Sequence, residues 1–217
     1  IWNPGWQPTK TSLDSYSCRH GLGYTIVTGE KNGILAQQEL FVPRGDACEI
    51  DRLTLENKTD APRTLDVFSY VEFCLWDAMD DSSNFQRNFS TGEVEVVGSA
   101  IYHKTEYRER RDHYAVFWAN TTVTSFDTSR DAFCGVYGGP AEPEAVRAGH
   151  CSGSIAHGWA PVGAHHFHIT LEAGEKKTII FGLGYIENPV AEKFAAPGII
   201  NKARAEAMMA RYAADAQ

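Results

Sequence analysis

Apolar and polar positions alternate through most of this 217-residue chain. A period of two sends successive side chains to opposite faces, which is the signature of a half-buried strand. Residues 24–28, 34–42, 48–57 and 65–76 follow it in turn. In the last of these, Leu65, Val67, Val71, Phe73 and Leu75 share one face. Lys31-Asn32-Gly33 predicts a type I′ hairpin, because Asn-Gly accepts the positive φ angles that turn requires. Pro43-Arg44-Gly45-Asp46 and Lys58-Thr59-Asp60-Ala61-Pro62 read as the next two turns. Between Ile50 and Leu53 the apolar phase shifts, which predicts a bulge.

Further strands are predicted at 92–97, 100–105, 114–120, 154–159, 164–171 and 177–185. Residues 1–20 read as an irregular aromatic lead-in, and 125–153 as a Gly- and Pro-rich surface excursion. The character changes after Asn188-Pro189. Residues 190–194 suit a helical turn, and Pro197-Gly198 breaks the chain. Asn201 can then cap a helix whose apolar stripe is Ala205, Met208, Met209 and Tyr212. Many short strands with turn signals and no strand–helix alternation predict a mainly β chain: an antiparallel β-sandwich with a C-terminal helix. The expected division is 1–189 for the sandwich, missing its first strands, and 190–217 for the start of a helical linker.

Composition narrows the function. The formal net charge of -8 argues against a nucleic-acid partner, which needs a basic face. No apolar run approaches the ~20 residues that span a bilayer. Ile1-Trp2-Asn3-Pro4 is no basic and apolar leader, so a cytoplasmic location is expected. Five widely spaced cysteines, Cys18, Cys48, Cys74, Cys134 and Cys151, contain no C-x-x-C and fit reduced thiols. Asn57-Lys58-Thr59 and two further sequons then carry no modification.

Three clusters invite a chemical reading. His166 and His168 share one strand face, while His165 points with Phe167 and Ile169 to the other. With no third ligand nearby in sequence, they read as a hydrogen-bonded or solvated pair, and no metal is expected. Asp77, Asp80 and Asp81 sit on a polar loop without an apolar pocket to raise a pKa, so no catalytic acid is assigned. Glu106–Asp112 interleaves three acids with three arginines and reads as a solvated strand end. In Asn84-Phe85-Gln86-Arg87-Asn88, amides and a guanidinium alternate with aromatics, a donor set suited to sugar hydroxyls. An ordinary loop satisfied by its own backbone remains the alternative.

The run FSYVEFCLWDAMDDSSNFQRNFSTGEVEV (68–96), followed by AIYHKTEYRERR (100–111), resembles the amino-terminal domain of cellobiose phosphorylases. These are inverting glycoside phosphorylases of glycoside hydrolase family 94. CRHGLGYT (18–25) and LGYIENP (183–189) resemble the same family in the same order. The resemblance implies a supersandwich of the galactose-mutarotase type. It implies a reaction of cellobiose with inorganic phosphate, the co-substrate, to give α-glucose 1-phosphate and glucose, with no cofactor. The proton donor and phosphate-binding groups belong to a later (α/α)₆ barrel, so this chain alone is expected to be inactive. Gln86 and Arg87 match the pair that reaches across a homodimer to border the acceptor-sugar subsite of the second copy. The alternatives are a free-standing carbohydrate-binding or dimerisation module, or a phosphorylase of cellodextrin, laminaribiose or chitobiose.

Overall fold

The computed structural model describes residues 1–73, 92–105, 112–158 and 160–213. Their strands, numbered in chain order, form three antiparallel sheets. The large sheet runs β1 (Ser15–His20), β2 (Tyr24–Lys31), β3 (Ile34–Phe41), β4 (Cys48–Asn57), β11 (Lys176–Glu187), β8 (His113–Ala119), β7 (Ala100–Thr105) and β6 (Gly92–Val97). The small sheet runs β5 (Arg63–Glu72), β10 (Pro161–Leu171) and β9 (Ser125–Ser129). A minimal hairpin joins β12 (Phe194–Ala196) to β13 (Ile199–Ile200). Among the described residues three α-helices follow or interrupt the strands, α1 (Arg130–Cys134), α2 (Glu144–Ala148) and α3 (Ala203–Tyr212), with a 3-10 turn at Val190–Glu192.

The small sheet covers one face of the large sheet's centre, and α3 covers the other. Every residue of β8 is therefore buried. Ala115, Phe117 and Ala119 pack with Phe167 of β10 and Phe181 of β11. Tyr114, Val116 and Trp118 pack with Ala205 and Met208 of α3. Each large apolar side chain so enclosed contributes about 1.5–3 kcal/mol relative to exposure. The apolar stripe of α3 thus finds its partner within this chain, with Met209 and Tyr212 packed beside it. Asn201 serves the start of that helix, its Oδ1 accepting the Ala203 N–H at 3.2 Å.

The Asn32-Gly33 turn closes β2 onto β3 with φ of 52° and 77°, the positive pair a type I′ turn needs. The predicted bulge in β4 is absent: its pairings to β3 and β11 run without a register shift. The apolar phase changes because the cover changes. Cys48 and Ile50 lie beneath α3, whereas Leu53 and Leu55 face the small sheet.

Three other expectations need correcting. Residues 15–20 form a strand, missed because all six side chains are exposed and no apolar alternation marks it. Of the strand expected at 154–159, the described residues 154–158 hold a single bridge, His157 to Glu93. Residues 125–153 are more than an excursion, since Phe133, Cys134, Ala145 and Cys151 build a buried cluster against the small sheet.

Asn57 ties the two layers at one end. Its Nδ2 donates to the carbonyls of Ala61, Leu171 and Glu172, and its Oδ1 accepts from the N–H and Oγ1 of Thr59. That side chain is 0% exposed, so the sequon there is closed to modification in the folded state. No described helix is long and apolar enough to cross a membrane.

Candidate functional site

Gln86 and Arg87 lie outside the described residues, as do Asp77, Asp80, Asp81 and residues 106–111. The structure does fix where those segments are anchored. Residues 74–91 run from the end of β5 to the start of β6, and 106–111 from the end of β7 to the start of β8. Gly92 pairs with Thr105, and Lys104 with Tyr114. Phe73, just past β5, stacks on His103 of β7 at 4.9 Å between ring centroids. All four anchors therefore meet at one rim of the sandwich.

That rim is rich in charge. Lys104 is buried, and its ammonium is 2.7 Å from Glu93 and 3.7 Å from Glu95. It also donates to the carbonyl of Gly198. Glu95 in turn accepts from Lys202 and, at 3.0 Å, from the Ile200 N–H. Each buried charge is thus paired and hydrogen-bonded, the condition under which burial is tolerated. The β12–β13 hairpin is pinned to the rim through these bonds. His103 and His113 are both buried here. Burial, with His113 nearby, pushes the His103 imidazole down to about 4, so it is neutral at physiological pH. These two are structural histidines, packed into the interior of the rim.

The β10 histidines divide between faces as the alternation requires. His165 points inward, stacks on Phe117 at 4.8 Å, and is pushed down to about 4 by burial. Its Nδ1 lies 3.2 Å from Ser69 Oγ. His166 and His168 point outward, and both meet Asp66 of β5. His166 Nε2 is 2.9 Å, and His168 Nδ1 2.8 Å, from the same carboxylate oxygen. Hydrogen bonds from His168 and His166 hold Asp66 below the usual carboxylate range. Sequence reasoning missed Asp66 because it lies about a hundred positions away. Only the pairing of β5 with β10, which sets Asp66 opposite His168, brings it in. Ser125 Oγ sits 3.0 Å from His166 Nδ1, which completes a Ser–His–Asp chain. That oxygen already accepts the Cys151 N–H at 3.0 Å, so it serves as a structural acceptor.

A cavity of about 730 Å³ lies between the sheets. Leu53, Leu55, Val67 and Phe181 give it apolar walls, and Gln38 and Asp51 are among its polar lining. Gln38 Nε2 donates to Asp51 Oδ2 at 2.6 Å. Burial nevertheless pushes the Asp51 carboxyl up to about 6, outweighing that bond.

Residues 1–215 match the family model described as "Glycosyl hydrolase 94, supersandwich domain". The chain is 35% identical over 191 residues to N,N'-diacetylchitobiose phosphorylase of Vibrio furnissii, covering 85% of this chain and 24% of that protein. It is 35% identical over 180 residues to solabiose phosphorylase of Paenibacillus borealis, covering 82% and 23%. A third relative is 3-O-beta-D-glucopyranosyl-beta-D-glucuronide phosphorylase of the same organism, 33% identical over 190 residues, covering 84% and 24%. The chain spans about a quarter of the length of these relatives. With a match running over nearly all its residues and a layered antiparallel fold to go with it, this chain belongs to the glycosyl hydrolase 94 family and is its supersandwich domain.

Proposed function

We propose that this domain is the amino-terminal part of an inverting glycoside phosphorylase acting on a β-linked disaccharide. The observation that carries the reading is the family match over 1–215, together with three relatives that are all named phosphorylases. Those relatives are named for different disaccharides, so membership alone leaves the sugar open. Cellobiose is the substrate that the motifs around residues 68–111 favour, with a chitobiose-type disaccharide next.

In the proposed reaction, inorganic phosphate attacks the anomeric carbon from the face opposite the leaving sugar. An aspartic acid in a separate (α/α)₆ barrel protonates the glycosidic oxygen. Phosphate is itself an anionic nucleophile, so the activating carboxylate of an inverting hydrolase is not required. This domain's part is to hold residues 84–88 at the rim, where Gln86 and Arg87 offer planar donors to the acceptor sugar of a second copy. A cytoplasmic setting goes with this reading, and Cys18, Cys48, Cys134 and Cys151 are free thiols.

The test is phosphate-dependent release of a sugar 1-phosphate by the full-length protein, across a panel of β-linked disaccharides. Cellobiose is expected to lead the panel, and the isolated domain to be inert. Absence of phosphorolysis on every member would overturn the reading.

One observation favours a second reading, a self-contained sugar-binding or dimerisation module. The apolar stripe of α3 is already covered by the sheet, so this helix needs no further partner to be buried. Calorimetric binding of cellobiose to the isolated domain distinguishes the two: the module binds, and the phosphorylase part alone does not.

A further inference from the structure

We propose that Asp66, His166 and His168 form a binding site for a divalent transition-metal cation on the outer face of the small sheet. Their ligand atoms all lie within 4.8 Å of one another. Two imidazole nitrogens converge on one carboxylate oxygen, at 2.9 and 2.8 Å. Ligands about 2.1 Å from a tetrahedral ion lie ~3.4 Å apart, so the two nitrogen–oxygen separations need open by only about half an ångström. A set of two imidazoles and one carboxylate selects zinc and its neighbours over calcium or magnesium, which prefer all-oxygen cages.

The strand framework sets this geometry. His166 and His168 are two apart on β10, so they share a face. β10 is the central strand of its sheet, hydrogen-bonded to β5 and β9 on either side. Asp66 sits directly opposite His168 in the register, with His166 one diagonal step away. His166 is 3% exposed and lies flat against Phe68, ring centroids 4.6 Å apart. Ser125 Oγ, 3.0 Å from its Nδ1, can accept a hydrogen bond from the Nδ1–H and so leave Nε2 unprotonated to bind the ion. One ligand is thus held rigidly. The other two are open to solvent, with side chains 56% exposed at His168 and 40% at Asp66. The ion would keep coordination positions free for water or an exogenous ligand, as three-ligand zinc sites do. The site stands apart from the phosphorylase reading and does not depend on it.

The probe is Zn²⁺ alone, titrated calorimetrically into the full chain at neutral pH. One equivalent is expected to bind. Asp66→Asn and His168→Ala, both at exposed positions that the fold does not require, are each expected to weaken that binding at least about tenfold. Co²⁺ gives a second readout: a visible absorption band of low-symmetry coordination in the wild type, lost in both variants. Circular dichroism of the variants should match the wild type, which separates lost ligands from lost fold. Cys18 and His20, 3.5 Å apart on exposed β1, provide the control position for adventitious binding. Absence of Zn²⁺ binding, or binding that survives both substitutions and is lost in Cys18→Ser, would overturn the proposal.

Discussion

Phe73 lies flat against His103, their ring centroids 4.9 Å apart and their planes 12° from parallel. The pair joins the end of β5 in the small sheet to β7 in the large one. It does so at the rim where residues 74–91 depart and return. Phe73 is 7% exposed, and it packs with Val94, Ile101 and Ala115 around the base of that segment.

Phe73→Ala is therefore expected to cost about 3–5 kcal/mol of stability, the usual range for emptying an aromatic core site. Urea unfolding of the isolated domain measures it. In the full-length protein the same change should raise KM for the acceptor sugar more than for phosphate. Unchanged stability would mean that the stack holds nothing in place.

The buried histidines give the domain a pH dependence of known sign. His103 and His165 are each lowered from 6.5 to about 4 by burial. Below pH 6.5 the unfolded chain takes up protons that the folded one refuses, so their contribution is complete above 6.5 and is lost as pH falls towards 4. Asp51 works the other way. It is raised from 3.8 to about 6, so the folded state gains its proton first and stability rises as pH falls through that range. Two groups oppose one, and the midpoint of urea unfolding is expected to drop between pH 6.5 and 5. Asp51→Asn should steepen that drop, and should stabilise the domain at pH 7 by roughly 1–2 kcal/mol, allowing for partial solvation. A midpoint that climbs on acidification would contradict the assignment of the two buried histidines, and an Asp51→Asn variant no more stable than the wild type at pH 7 would contradict that of Asp51.

Asn57 is replaceable by no other residue without orphaning buried groups. Its five bonds reach the turn after β4 and the turn between β10 and β11. Asn57→Ala leaves carbonyls and an N–H without their partner, at about 1–3 kcal/mol for each group that water cannot reach. A loss of more than about 2 kcal/mol in urea unfolding is expected. A neutral substitution would show that water replaces the amide.

Much of this architecture was legible in the sequence, for a physical reason. Where one face is covered and the other wet, as at the start of β5 with Leu65 and Val67 inward and Thr64 and Asp66 exposed, alternation reports the strand directly. Asn32-Gly33 reports its turn through backbone sterics. β1 was illegible because neither of its faces is covered, and β4 misled because its two halves are covered from opposite sides. Asp66 shows the deeper limit. The pattern on β10 gives the shared face of His166 and His168, but their carboxylate partner is set by inter-strand register, which no single strand encodes. The acceptor-site role proposed for Gln86 and Arg87 rests on family resemblance, and both residues lie outside the described ones.

The central claim is that the rim holds Gln86 and Arg87 out to complete the sugar site of a second copy. Subunit complementation in the full-length protein tests it most directly. One subunit carries Gln86→Ala and Arg87→Ala, and the other has an intact loop and an inactivated barrel. Each homodimer should be poor in synthesis from glucose and α-glucose 1-phosphate. Mixed dimers should recover activity, because the intact loop serves the intact barrel across the interface. Mixed dimers no better than the parents, or full acceptor use by the double variant alone, would contradict the account.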